Sequence, residues 1–125
     1  MTDGTLPFEG IVRGISEALI YADREGVIRW WSDGAEQLFG FSRDEALGQS
    51  LDLIIPEKLR AAHWRGFDAA IASGVIRNHG RIMRTRSLHK QADKIYVDMS
   101  FHLVTGDQGK VLGSTAIARP AAPPG

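Results

Sequence analysis

Polar and apolar side chains alternate most clearly in residues 94–104. One face carries Ile95, Val97, Met99, Phe101 and Leu103, and the other carries Tyr96, Asp98, Ser100 and His102. Successive side chains of a strand point to opposite faces, so this pattern predicts a strand with one face in a core and the other in solvent. Such half-buried strands are typical of antiparallel sheets that are covered on one side.

Four further extended segments complete the predicted sheet. They cover residues 18–22, 27–31, 80–86 and 110–119, and the first two flank a turn that contains Gly26. Two apolar runs across a glycine-containing turn predict a β-hairpin. Short helices are expected between residues 32 and 48, where capping serines precede helical patterns. The order of elements predicts an α+β domain with one antiparallel sheet of five strands.

The longest helix is expected between Pro56 and Gly74. Proline suits the first turn of a helix, and glycine suits the position after the last turn. At helical spacing, one apolar face is formed by Leu59, His63, Phe67, Ala70 and Ile71. The small residues Ala62, Gly66 and Ala69 form a strip beside it, so close approach of a core element or a cofactor is expected there.

The chain divides into three parts on pattern and composition. Residues 1–16 are expected to form an N-terminal amphipathic helix or cap, because apolar residues recur at helical spacing between positions 6 and 15. Residues 17–119 form the predicted core domain. Residues 120–125 are rich in proline, which cannot continue a sheet, so a disordered tail is expected.

Composition narrows the classes of function. Lys and Arg together number 15, as do Asp and Glu, so no general field favours nucleic acid or an anionic membrane. No segment approaches the length of a membrane span, and a cytoplasmic protein is expected. The sequence shows no carboxylate pair, nucleophile with its base or phosphate-binding loop. We therefore do not expect an enzyme.

Several spaced motifs resemble a PAS domain, or sensory box. They comprise the glycine turn and residues 27–31, 35–41, 45–48, 54–57 and 113–119, and the resemblance covers about residues 10–119. PAS domains are sensory and interaction modules. The resemblance implies a PAS fold, in which a five-stranded antiparallel sheet, short helices and one long helix enclose a small pocket.

Resemblance to one branch of the family implies a candidate ligand. The branches that form a covalent adduct with flavin or a coumaroyl chromophore use a cysteine, and this chain has none. The haem-binding oxygen sensors carry a histidine on the long helix, and His63 stands seven residues after Pro56 as theirs does. Gly80 and Arg81 resemble the pair whose arginine holds the gas ligand. The resemblance thus implies haem, with His63 as the ligand of the iron.

The pocket implied by this resemblance has the remaining candidate residues as its walls. Cofactor-binding residues are expected to be His63, Arg81, Leu59, Phe67, Ile71, Ile76, Met83, Met99, Phe101 and Ile117. The chain departs from the branch at Ala69, where a basic residue meets the haem propionates, and His79 or Arg77 could take that role. The alternative for His63 is a core histidine that hydrogen-bonds a buried carbonyl or water.

Three hypotheses of function follow. The first is a sensory PAS module that binds a small ligand or relays a signal through dimerisation. The second is a haem-based oxygen sensor, and the third is a structural dimerisation module with a filled core. A homodimer is expected through residues 6–15 and the outer sheet face that bears either Trp30 or Trp31. The Asp-x-Thr that often follows the last strand of a PAS domain is absent after Arg119, so a separate effector protein is a second expected partner.

Overall fold

The computed structural model describes residues 6–76 and 81–123. One antiparallel sheet of five strands, in the order β2-β1-β5-β4-β3, forms the centre. The strands are β1 (Ala18–Asp23), β2 (Ile28–Trp31), β3 (Met83–His89), β4 (Ala92–Thr105) and β5 (Val111–Pro120). The helices are α1 (Phe8–Arg13), α2 (Asp33–Phe39), α3 (Arg43–Ala46) and α4 (Glu57–Ser73), with 3₁₀ turns at Leu51–Ile54 and Asp107–Gly109. The predicted α+β class and the five-stranded antiparallel sheet are confirmed.

Strand register divides the sheet into an inner and an outer face. Ala116 of β5 pairs with Ile20 of β1 and with Phe101 of β4, and these three positions face the core. The next residue, Ile117, pairs with Leu19 and Ser100 and therefore lies on the outer face. The expectation that Ile117 lines an inner pocket is wrong, because the register turns its side chain away from that of Phe101.

The core lies between the inner sheet face and the short helices. Its largest fully buried side chains include Trp31 and Phe39, whose ring centroids are 5.5 Å apart. Trp31 pairs with the inward-facing Ile20, whereas Trp30 pairs with Tyr21 on the outer face. The expectation that the two adjacent tryptophans point to opposite faces is therefore confirmed.

Side-chain caps begin the short helices where the sequence predicted them. The Ser32 hydroxyl accepts a hydrogen bond from the Ala35 N–H at the start of α2. It also accepts one from the Leu19 N–H and so ties the helix to β1. Ser42 and Glu45 form a complete capping box at the start of α3. These caps satisfy backbone N–H groups that have no partner within the helices.

Both ends of the described chain lie on the surface. α1 has no buried residue; Phe8 and Ile11 are exposed on it, and Leu6 just before it is exposed too. At the other end, β5 includes Pro120, and the Ala121 N–H donates to the Tyr96 carbonyl. The expectation that residues 120–125 form a disordered tail is therefore wrong for Pro120 and Ala121. Pro120 is accommodated because it lies at the end of its strand.

The long helix α4 follows its local signals closely. Pro56 is its N-cap residue, and Gly74 ends it in the left-handed conformation at φ 75°. Leu59, His63 and Phe67 are half-buried on one face and Ile71 is buried. This confirms the face that the helical spacing predicted. No helix in the described part of the chain is both long and apolar enough to cross a membrane.

Candidate functional site

The apolar face of α4 stands apart from the main core. In the described residues, the core cluster and the apolar side chains packed on it come from the sheet, α2, α3 and the segment 41–55, but none comes from α4. Ile71 is the single buried residue of this 17-residue helix. Most of the apolar face of α4 is therefore only half-buried and lies outside the main core cluster.

His63 occupies the middle of that face. Its Nδ1 atom is buried and has no hydrogen-bond partner among the described residues. Burial lowers the pKa of the His63 imidazole, and the opposing attraction of Asp52 and Asp68 does not restore it. The folded protein therefore holds a neutral imidazole with one buried nitrogen available for a further interaction. The sequence-based alternative was a core histidine bonded to a buried carbonyl or water, and no carbonyl of the described residues bonds Nδ1.

Two aromatic rings hold the imidazole from the sides. The His63 ring lies 4.6 Å from the Trp64 ring, centroid to centroid, with an interplanar angle of 79°. The Phe67 ring lies 5.9 Å from His63 and 5.2 Å from Trp64. The three rings form one cluster along little more than one turn of the helix, which we call the α4 aromatic cluster.

Trp64 connects this cluster to two neighbouring segments. Its indole N–H donates a 2.8 Å hydrogen bond to the Asp52 carboxylate. Its ring lies against the backbone of Gly26, which has φ 79° in the β1–β2 turn. The sequence prediction missed this anchor, because Trp64 lies outside the predicted apolar face and both partners are distant in sequence. The adjacency of a tryptophan to the candidate histidine was the one available signal.

The strip of small residues on α4 is not a surface of close packing. Ala62, Gly66 and Ala69 are all exposed. A β-carbon built at Gly66 meets no atom within 4 Å. Close packing against this strip is therefore not observed, and the half-buried side of the helix is the one that carries His63.

The other predicted wall residues separate into two groups. Met99 is buried and Phe101 is half-buried, and both belong to the inner sheet face with the core. Met83 pairs with Met99 across β3 and β4 but is 40% exposed, and Ile76 is half-buried.

Only some of the residues expected on the gas-binding side of the pocket are among those that the structure describes. Arg81 is exposed and lies two residues before β3 begins. Its expected companion Gly80, and the alternative propionate partners Arg77 and His79, lie outside the described residues.

A groove of about 410 Å³ runs along β3, one helical turn from His63. Leu59 and Thr85 line it together with Arg84, Arg86 and Tyr96. His63 does not line this groove, but Leu59 belongs to the same face of α4 one turn earlier. The groove therefore meets the N-terminal end of the candidate site at the edge of the sheet.

Comparison with protein families identifies the fold. The sequence pattern of the family described as PAS fold matches residues 7–121, which is nearly the whole chain. The chain belongs to the PAS family. As a PAS domain it is similar to the PAS domain of a Colwellia psychrerythraea protein, with a TM-score of 0.78 and 19% identity. That alignment covers 91% of this chain and 93% of the other.

Two curated relatives of this PAS domain are sensor proteins. The sensor protein FixL of Bradyrhizobium diazoefficiens is 42% identical over 53 residues, which is 42% of this chain and 10% of the relative. The oxygen sensor protein DosP of Escherichia coli is 26% identical over 104 residues, covering 83% of this chain and 13% of the relative. The chain therefore corresponds to about a tenth of the length of these relatives. It is a PAS domain of the kind found in sensor proteins.

The residues on α4 fit a haem group in two respects. His63 supplies a neutral imidazole with a buried, unpartnered nitrogen. Leu59, Phe67 and Ile71 supply an apolar wall on either side of it along the helix. Ala69 does not contribute to the fit, because it is exposed and cannot pair with a propionate.

Proposed function

We propose that this PAS domain is a haem-based gas sensor, with oxygen as the principal gas and His63 as the ligand of the iron. One observation carries the proposal: the buried Nδ1 of His63, on the apolar face of α4, has no hydrogen-bond partner among the described residues. An unsatisfied buried polar atom costs about 1–3 kcal/mol, so a native protein retains one where something else satisfies it. A bound group that engages the imidazole accounts for this atom.

His63 is suited to ligation because burial keeps it neutral. Metal ions bind the unprotonated nitrogen of imidazole, and protons compete with them for it. The lowered pKa of His63 removes that competition at neutral pH. The backbone of α4 fixes the position of the side chain, and Phe67 limits the orientations of its ring.

If haem binds, it would supply an iron that His63 could ligate and that could bind a small gas. The apolar residues of α4 would shield a bound haem from water on the side of this helix. Arg81 is assigned to the gas-facing side through its resemblance to the oxygen-sensing branch. Its planar guanidinium donates hydrogen bonds to an electron-rich ligand such as oxygen more strongly than to the less polar carbon monoxide.

The two curated relatives support this assignment. DosP is named as an oxygen sensor, and its similarity extends over most of this chain. FixL is named as a sensor protein and is the more similar of the two over a shorter segment. On this proposal, gas binding near α4 changes how the domain associates with a second copy or with an effector protein.

A second candidate is a signalling module that binds a different small ligand or relays a signal without one. The observation that favours it is the core around Trp31 and Phe39, whose buried side chains pack on one another. The exposed Ala69 favours it too, because the site lacks the basic residue that meets a propionate at this position.

The visible spectrum of the protein, purified after expression with adequate haem supply, separates these candidates. A Soret band with a one-to-one haem content is the expected result. Native mass spectrometry of the same sample detects a different bound ligand by its added mass. A colourless protein that also lacks any added mass would favour the relay candidate over both ligand-binding functions.

A further inference from the structure

We propose that Trp64 is the positioning residue of the site. Its ring links α4 to Asp52 and to the β1–β2 turn, and in this way it holds the His63 ring in one orientation. We call these two contacts of Trp64 the clasp. This inference rests on the proposed role of His63, but it concerns the protein alone and can be tested without haem. Neither the family resemblance nor the similarity to the two sensors assigns a role to this tryptophan.

The geometry of the clasp restrains the indole at two points. At one end, the ring N–H donates to Asp52 in the 3₁₀ turn that precedes α4. At the other, the benzo ring occupies the space that a side chain at Gly26 would fill. A ring held by a directional hydrogen bond and by a backbone surface has little freedom to rotate.

Asp52 and Gly26 are themselves fixed. The Asp52 carbonyl accepts a hydrogen bond from Arg60 at 3.2 Å, and the Asp52 carboxylate lies 3.7 Å from the same guanidinium. The Gly26 carbonyl accepts from the Leu51 N–H at 3.0 Å, beside the isolated bridge between Val27 and Ser50. Both anchors of Trp64 therefore belong to one hydrogen-bonded unit made of the hairpin turn and the 3₁₀ turn.

The contact between His63 and Trp64 is unusual for neighbours in a helix. Side chains at adjacent positions point about 100° apart and do not normally face each other. Here the two rings meet edge to face at 4.6 Å, which is a favourable aromatic geometry. The imidazole is thus confined between Trp64 on one side and Phe67 one turn further along.

The clasp also places charge near the imidazole. Asp52 on the 3₁₀ turn and Asp68 on α4 both favour the protonated form of His63, against the larger effect of burial. The carboxylate that anchors the indole is therefore also an electrostatic partner of the histidine. Groups that orient a metal-binding histidine typically change metal affinity by about 10–100-fold when they are removed.

The test compares Trp64→Leu with Trp30→Leu by NMR of the protein without haem. Trp30 is a matched control, because it is a half-buried tryptophan on the outer sheet face. In wild type, we expect nuclear Overhauser contacts from the His63 ring protons to the Phe67 ring in one fixed pattern. Trp64→Leu should replace that pattern with weaker, averaged contacts, and Trp30→Leu should leave it unchanged.

Two milder variants separate positioning from stability and from charge. Trp64→Phe keeps a ring over Gly26 but loses the N–H donor, so averaging of the His63 contacts is again expected. Asp52→Asn keeps an acceptor oxygen for the indole but loses the charge. This variant should preserve the His63 contacts while the pKa of His63, followed by the same NMR signals, falls further.

Haemin titration of the same variants supplies the second readout. Trp64→Leu should bind haemin about 10-fold more weakly or worse than Trp30→Leu. Unchanged His63 contacts in both Trp64 variants, or equal changes in Trp30→Leu, would overturn the positioning role. A wild type that takes up no haemin would instead overturn the proposed function, and the NMR comparison would still decide the role of Trp64.

Discussion

Trp64 of the long helix lies directly on the backbone of Gly26, in a turn that joins the first two strands. The contact depends on the absence of a side chain at Gly26, which also has a positive φ of 79°. This contact holds the helix that carries His63 to the β1–β2 hairpin, which forms one edge of the sheet.

Replacement of Gly26 by alanine should strongly destabilise the domain. The left-handed conformation alone costs a residue with a β-carbon about 1–2 kcal/mol. Displacement of the Trp64 ring adds an overpacking cost of about 1–3 kcal/mol. Gly48→Ala is the matched control, because Gly48 has φ 85° and open space around it. Urea denaturation should show a clearly larger loss for Gly26→Ala, and equal losses would refute the contact.

Gly66→Ala should stabilise the domain. The residue is exposed in the interior of α4, where a β-carbon would meet no atom within 4 Å. Glycine in a helix interior costs about 1 kcal/mol relative to alanine, and that cost is recovered. The reciprocal change Ala62→Gly, on the same exposed strip, should lose a similar amount. A fall in melting temperature for Gly66→Ala would show that this strip is covered after all.

Stability without haem should depend on pH through His63. Because burial lowers its pKa in the folded state, the unfolded chain binds the proton more readily, starting near the ordinary value of 6.5. The free energy of unfolding should therefore fall as the pH falls below about 6.5. Denaturation curves of wild type should show this loss between neutral pH and about pH 5, and His63→Gln should lack it.

The carboxylates that form ion pairs in the fold change the stability of the protein over a separate, more acidic pH range. The pKa of Glu45 is lowered by a hydrogen bond from Lys90, and that of Asp98 by a hydrogen bond from Arg84. Their contributions are present above their ordinary values of 4.5 and 3.8 and are lost below them. An identical pH dependence of wild type and His63→Gln above that range would contradict the assignment to His63.

Self-association should depend on the exposed apolar side of α1. We expect a second copy of the chain to cover this helix, because Phe8 and Ile11 expose apolar side chains on it. Phe8 is 64% exposed, so Phe8→Glu should dissociate a dimer without unfolding the monomer. Light scattering should show half the wild-type mass for this variant. Glu9→Gln on the same helix is the control, and an unchanged mass for Phe8→Glu would exclude α1 as the contact.

The sequence predicted those features that depend on neighbouring residues. Pro56 and Gly74 marked the ends of α4, and Ser42 with Glu45 marked a capping box, because such signals act within one or two turns. The apolar face of α4 followed from helical spacing alone. The fold class followed from the order of the strands and helices.

Features that depend on long-range pairing were not predictable in the same way. The inner face of β5 carries Ala116 and Ala118, whereas the larger Ile117 points outward. Hydrophobicity therefore indicates the wrong face, and only the pairing register with β1 and β4 determines it. The contacts of Trp64 with Asp52 and Gly26 join three segments whose proximity exists only in the fold.

The central claim is that His63 binds haem iron, and titration of the haem-free protein with haemin tests it most directly. Wild type should show a saturable Soret band at one haemin per chain. Arg81→Ala, in which the proposed gas-facing donor is removed, should keep that uptake, and so should His102→Ala at an exposed position of β4. His63→Ala should lose stoichiometric uptake. A wild type without a saturable Soret band, or a His63→Ala variant that matches wild type, would contradict the claim.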